Sequence, residues 1–491
     1  MEYISTRDSS VRVSASQAII RGISQEGGLF VPRELPRIDL ASLRGMDYRE
    51  LAYEILSKFL TDFPEEDLRA AIARAYDGKF TSRRMVELRG LGDDYFLELY
   101  HGPTLAFKDM ALSILPHLMK TAQELRGLDQ ELVILTATSG DTGKAALEGF
   151  AGLEGVKIVV FYPEDGVSPI QKLQMKTQEG DNTLVVGIGG NFDDAQTGVK
   201  EIFKNQELAR ILGEQNYRLS SANSINIGRL LPQLVYYFYS YIYLLDRGEI
   251  EEGEELNIVV PTGNFGNILA AYYAREMGLP VKRLICASNE NKVLTDFFET
   301  GIYDRRRELS LTSSPSMDIL ISSNLERLLH YLGYRDQELV GLMEDLDSQG
   351  YYQVEPARFR DFFGSFAQDQ EASQAIGQVF DQGYLMDTHT AIGYVAAQKY
   401  REVSGDGRKQ LIASTASPFK FARDVGRSLG MGQGQEDEFQ LIEDLARRAG
   451  LEVPASILDL RQKEIVHRKT CRREDMEKLL RSFLGLGDRH D

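Results

Sequence analysis

The chain reads as an α/β protein built on parallel sheet with helices on both faces, and two observations predict it. Short Val/Ile/Leu runs at 132–137, 156–161, 183–188, 256–260 and 283–287 alternate with helical stretches, the pattern of strands buried on both sides. Twice, a strand passes through a polar glycine turn straight into a helix: Leu132 to Gly143 leads into Lys144–Glu148, and Leu256 to Asn267 leads into Ile268–Tyr273. Such junctions set hydroxyls and free amides at a helix N-terminus, where anions bind.

Along the chain, residues 1–85 mix helical segments such as 48–60 and are expected to form a separate N-terminal element. Residues 86–430 carry the strand–helix alternation. Within them, Leu230 to Leu245, rich in Tyr236, Tyr237, Phe238, Tyr239 and Tyr241, reads as a buried helix, and the acidic run 249–255 as a surface turn before a central strand. Residues 431–491 turn charged and are expected to be a helical C-terminal segment, as over 464–484. At about 150 residues per domain, 491 residues make roughly two to four units.

Composition narrows the function classes. A net charge of -18 with acidic residues spread throughout argues against nucleic-acid binding, which draws its affinity from basic patches. The Arg305-Arg306-Arg307 run then reads as a solvated loop. Cys286 and Cys471 have no metal-ligand spacing and the six histidines form no metal constellation, so neither disulfide, zinc nor other metal is expected, and a reducing cytoplasm fits. No 18-residue apolar run and no signal-peptide plan occur, so no membrane association is expected.

The strongest chemical candidate is Lys108, in His101-Gly102-Pro103-Thr104-Leu105-Ala106-Phe107-Lys108-Asp109. Leu105, Ala106 and Phe107 precede it and Met110, Ala111 and Leu112 follow, so part of its stem is packed. Packing lowers an amine's pKa, and a neutral amine forms a Schiff base with an aldehyde. A lysine whose stem simply covers a helix gives the same local pattern. The turn Thr138-Ser139-Gly140-Asp141-Thr142-Gly143-Lys144 resembles a P-loop but lacks it, since Thr138 stands where the first glycine belongs and Ala145 where Ser or Thr belongs. It suits a carboxylate or a phosphate. In Pro261-Thr262-Gly263-Asn264-Phe265-Gly266-Asn267, two glycines let the backbone close on a ligand and aim several amides at one phosphate. Gln410 to Ser414, running into Thr415-Ala416-Ser417-Pro418, reads as a buried strand ending in small hydroxyl residues.

Together these segments resemble the threonine synthases, pyridoxal-phosphate enzymes of the tryptophan-synthase-β fold type, in their microbial and fungal branch. The likeness also runs through Gly27–Pro32, Ser224-Ile225-Asn226 with Arg229, Ala287–Asn291, Ser314–Asp318, Ser323–Arg327 and Thr388–Ala391. The resemblance implies two parallel-rich sheets with pyridoxal 5'-phosphate between them. It implies a lyase that converts O-phospho-L-homoserine and water to L-threonine and phosphate by β,γ-replacement, the last step of threonine biosynthesis. It assigns Lys108 as the lysine that holds the cofactor and moves protons, Gly263, Asn264, Phe265, Gly266 and Asn267 as the cofactor-phosphate loop, and Thr415 as the hydroxyl facing the pyridine nitrogen. Ser139, Gly140, Asp141 and Thr142 align with the loop expected to hold the substrate carboxylate; Ser224, Asn226, Arg229 and Lys144 are candidates for its phosphate. His101 is the one histidine expected near the site, in a monomer or homodimer.

One departure stands out: relatives carry His-Pro and a small residue before the next lysine, whereas here Ser417-Pro418-Phe419 precede Lys420. Two other readings compete. A threonine dehydratase or cysteine synthase would share Lys108 and the phosphate loop, but those families usually carry Asn where Asp141 stands. A regulatory homologue that binds a phosphorylated amino acid without turnover is the other.

Overall fold

The computed structural model describes residues 1–164, 167–432 and 437–487. Two parallel-rich sheets dominate. The larger has six strands in the spatial order Phe362–Phe366, Val281–Ser288, Leu256–Pro261, Gln410–Ser414, Asp94–Glu98 and Glu87–Leu91. All neighbours run parallel except the last pair, an antiparallel hairpin at one edge. Leu256–Pro261 and Gln410–Ser414 lie inside the sheet and are buried at every position, as strands covered on both faces must be.

The second sheet is wholly parallel, ordered Lys469–Cys471, Thr183–Ile188, Val156–Pro163, Glu131–Ala137, Tyr217–Ser220. Its alternation is visible in the packing. Val133, Leu135, Val159 and Phe161 face one core with Val199, Ile202, Met476 and Leu480, while Leu132, Ile134, Ile158 and Val160 face the main core, the period-two geometry of a strand. All five expected apolar runs are strands, and the expectation of two parallel-rich sheets is met.

The N-terminal residues form a three-stranded antiparallel sheet, Tyr3–Ser5, Arg12–Val13 and Phe30–Pro32, with helices Ala15–Arg21, Tyr48–Phe59 and Glu65–Tyr76. Asp47 starts the second helix by accepting from the amides of Arg49 and Glu50, which satisfies donors that have no partner within the helix. That helix buries Leu51, Ala52, Ile55, Leu56 and Phe59 and packs on helix Pro232–Asp246.

Two elements differ from the sequence reading. The buried helix over 230–245 is divided into Ile227–Leu230 and Pro232–Asp246, because proline lacks an amide and restarts the helix at its first turn. The stretch 464–484 is not one helix. The amides of Val466 and His467 donate to the carbonyl of Lys176, Lys469–Cys471 pairs with Val186–Ile188, and the helical part is confined to a 3-10 turn at Arg473–Asp475 and the α-helix Met476–Phe483. A bare edge of parallel sheet offers unpaired backbone groups, and filling it outweighs the helix propensity of this charged stretch.

Candidate active site

Lys108 follows the strand Asp94–Glu98 through a braced loop. Gly102 is obligatory there, since a Cβ would lie 2.5 Å from the Asp109 carboxylate. That carboxylate accepts from the Thr104 amide at 2.9 Å and its hydroxyl at 2.6 Å, and burial raises its pKa to about 6 against those bonds. Beyond Leu105, whose φ is 60°, the chain runs along the end of Gln410–Ser414. Phe107 N–H donates to the Thr415 carbonyl at 2.8 Å, and Ser417 N–H donates to the Leu105 carbonyl at 3.1 Å. Lys108 and Thr415 are thereby fixed near each other although 307 positions separate them in the numbering. The Lys108 side chain is 11% exposed. Burial lowers its pKa to about 8; Asp141 opposes the fall, and Arg229 and Lys420 add to it.

Asp141 begins helix Asp141–Phe150. The preceding Gly140 has φ 130°, and a Cβ there would come within 2.6 Å of the Gln171 side chain. Thr138 Oγ1 accepts the amides of Gly140 and Gly143 at 3.0 and 2.8 Å, tightening the turn. Asp141 Oδ1 accepts from Lys420 Nζ at 2.5 Å and Gln171 Nε2 at 2.8 Å. Oδ2 accepts from Ser316 Oγ at 3.1 Å and lies 3.8 Å from Lys108 Nζ. Burial pushes this carboxyl up, but Lys420 and Lys108 outweigh burial and hold it well below the usual carboxylate range. Ser139 and Thr142 are half-buried beside it.

The second glycine turn meets the first through Ser316. A Cβ on Gly263 would stand 2.6 Å from the Ser316 carbonyl, so only glycine lets these chains approach. Phe265 is left-handed, with φ 64°, at the N-cap of helix Gly266–Glu276. Asn264 is exposed, and its carbonyl accepts from Asn324 Nδ2 at 2.9 Å. The same Asn324 Nδ2 reaches the Ser224 carbonyl at 3.3 Å, joining this turn to the 224–229 segment. Asn267 is buried; its Oδ1 accepts from the hydroxyls of Tyr236 and Tyr237. Arg229 is 4% exposed, donates Nη1 to the Ala222 carbonyl at 2.9 Å, and its Nε finds no acceptor among the described residues. Burial alone lowers its pKa to about 10.

Three family profiles match in order: Threonine synthase N terminus over residues 2–76, Pyridoxal-phosphate dependent enzyme over 82–415, and Threonine synthase, C-terminal over 390–464. The threonine synthase of Saccharomyces cerevisiae is 34% identical over 97% of this chain and 98% of its own length, and that of Pseudomonas aeruginosa 39% identical over 88% and 91%. The chain belongs to the threonine synthase family. A pyridoxal-phosphate-bound threonine synthase from Brucella melitensis superposes with a TM-score of 0.86 at 34% identity, covering 99% of this chain and 98% of its own. Human threonine synthase-like 1 is 41% identical over 87% of this chain, which spans 60% of the length of that relative.

Pyridoxal phosphate is the cofactor of this family, and the residues here suit it. A buried lysine amine shifted toward neutrality stands near a buried guanidinium whose Nε has no acceptor among the described residues, and at Gly263 a Cβ would collide with the Ser316 carbonyl, so the backbone there is bare. Several of the residues expected at the site have partners within the protein. Lys144 turns away from the site, since its Nζ donates to Glu148 at 2.8 Å and to Gln178. Asn226 is spent as a helix cap, accepting from Gly228 N–H and donating to the Ile19 carbonyl, each at 2.9 Å. His101 pairs with Glu98 at 2.9 Å. The histidine tied to Asp141 is His389, which accepts from the amide of Ser316 at 3.2 Å and is held by Asp387 at 2.7 Å. Lys420, Gln171 and Ser316 were not foreseen as site residues. The signal for Lys420 was available: Phe419 and Phe421 flank it as apolar residues flank Lys108.

Proposed function

We propose that the protein is a cytoplasmic threonine synthase that converts O-phospho-L-homoserine and water to L-threonine and phosphate. The carrying observation is the buried Lys108 amine, lowered to about 8, in a site that also holds the buried guanidinium of Arg229, whose Nε has no acceptor among the described residues. In this reading Lys108 holds the cofactor, the Gly263–Asn267 turn and the first amides of helix Gly266–Glu276 take its phosphate, and Thr415 faces its ring nitrogen. Bound pyridoxal phosphate supplies an electron sink next to the substrate Cα. The Ser139–Thr142 turn offers helix-start amides to the substrate carboxylate. Asp141 is not itself that ligand, because its anion would repel a second carboxylate. Arg229 takes the substrate phosphate, and Ser224 lines the same segment.

Lys108 Nζ, once released to the substrate, accepts the Cα proton and then a Cβ proton, and phosphate departs from Cγ. Cγ takes up a proton, water adds its hydroxyl at Cβ, and Cα regains a proton; the three protons released, two from carbon and one from water, go to Cγ, Cα and the departing phosphate, which balances the replacement. Leu105, Met317, Ala416 and Phe419 share one buried apolar cluster around the lysine loop, which limits early access of water. The test is to measure phosphate and threonine released from O-phospho-L-homoserine by protein supplied with pyridoxal phosphate. Equal amounts are expected, with none from Lys108→Ala. Phosphate with a ketoacid would indicate a dehydratase, and bound cofactor without release a regulatory homologue.

A further inference from the structure

Lys420 lies in the short turn Pro418–Phe421 beyond the central strand Gln410–Ser414. Its side chain is 0% exposed. A lysine so buried needs acceptors, and two are present: the Thr104 carbonyl at 2.9 Å and Asp141 Oδ1 at 2.5 Å. The first belongs to the loop that carries Lys108, the second to the carboxylate that faces Lys108. Its own carbonyl accepts from Ser168 Oγ at 3.2 Å, which holds the turn against the helix Pro169–Lys176 that supplies Gln171.

The two oxygens of Asp141 are therefore divided. Oδ1 is filled by Lys420 and Gln171, whereas Oδ2 has Ser316 at 3.1 Å and Lys108 at 3.8 Å. We propose that Lys420 is a positioning residue for Lys108: by engaging one oxygen of Asp141 it presents the other to the Lys108 amine, fixing where that amine points and how much negative charge it meets. This rests on the reading of Lys108 as the cofactor lysine.

The charged groups that act on Lys108 are Asp141, Arg229 and Lys420; those that act on Asp141 are Lys420 and Lys108. Removing Lys420 leaves Lys108 as the one lysine facing the Asp141 charge and also deletes a repelling cation. Both changes favour the protonated amine. Removing the Asp141 charge does the reverse. A residue that only filled space would move neither.

The experiment follows capture of pyridoxal phosphate by the full chain freed of cofactor, as the growth rate of the visible absorbance across pH. Borohydride reduction and peptide mapping then identify the tagged lysine. The wild-type rate is expected to rise with pH through about 8, where the buried amine loses its proton. Lys420→Met is expected to raise that midpoint by about one pH unit, which slows capture roughly tenfold well below it. Lys420→Arg keeps the wild-type midpoint, and Asp141→Asn lowers it. An unmoved midpoint in Lys420→Met, with the tag on Lys108, overturns the proposal. If Lys420→Met fails to fold, an unmoved midpoint in Asp141→Asn overturns it instead. A tag on another lysine overturns the assignment of Lys108.

Discussion

Arg229 separates stability from function. A buried guanidinium with one backbone acceptor and an unused Nε is an expensive residue to fold around, and near Lys108 it adds positive charge to a lysine already short of solvent. Replacing it by Met removes that penalty, so the variant should be as stable as the wild type or more stable by about 1 kcal/mol in urea denaturation. The same variant should raise KM for O-phospho-L-homoserine by about 100-fold, since a charge-assisted phosphate contact is worth roughly 1.5–3 kcal/mol. A stable variant with unchanged KM would remove Arg229 from the substrate site. The packed Lys108 and the two glycine turns could be read from their immediate neighbours, whereas Thr415 was named only through the resemblance, its own segment reading as no more than a strand end. The Lys420–Asp141 pair could not be read, because its partners lie 279 residues apart and no local pattern ties a lysine to one carboxylate among 74 acidic residues.

The strand–turn–helix junctions show which local rules the fold obeys and where it breaks them. The parallel strands of the five expected runs were readable because apolar runs of five or six residues between helices have few other uses. The C-terminal strand Lys469–Cys471 was not, because an edge strand half-exposed to solvent has no apolar run to announce it. Phe265 is a local breach with a measurable price. A left-handed non-glycine residue costs about 1–2 kcal/mol, yet the ring is 1% exposed and lies 6.0 Å from both Phe298 and Phe362. Losing a buried phenylalanine costs about 3–5 kcal/mol, so burial wins. Phe265→Gly should relax the backbone and still lower stability by about 2–3 kcal/mol in chemical denaturation. A variant as stable as the parent would mean that the ring contributes little and the strain dominates.

At the scale of the molecule, Arg327 is the most deeply placed of several residues that tie the N-terminal element to the site. Arg327 is fully buried; its Nε donates to the Phe30 carbonyl at 3.0 Å, its Nη2 to the Ile225 carbonyl at 2.6 Å, and its Nη1 to Asn324 Oδ1. Phe30 belongs to the N-terminal sheet and Ile225 to the Arg229 segment, and Asn324 carries the carbonyls of Asn264 and Ser224. The nearby Arg7–Glu326 pair, at 2.8 Å, joins the same two regions, but Arg7 is 24% exposed. A partly exposed pair is worth about 0–1 kcal/mol, whereas three buried acceptors left without a donor cost about 1–3 kcal/mol each before relaxation. Arg327→Met should therefore destabilise the protein by roughly 3–5 kcal/mol, and Arg7→Met by about 1 kcal/mol or less. Because Asn324 loses its anchor only in the first variant, cofactor affinity measured by equilibrium dialysis should fall about tenfold in Arg327→Met and stay unchanged in Arg7→Met, a tenfold change being about 1.4 kcal/mol. Equal affinity in the two variants would mean that the N-terminal element supports the fold without holding the phosphate turn.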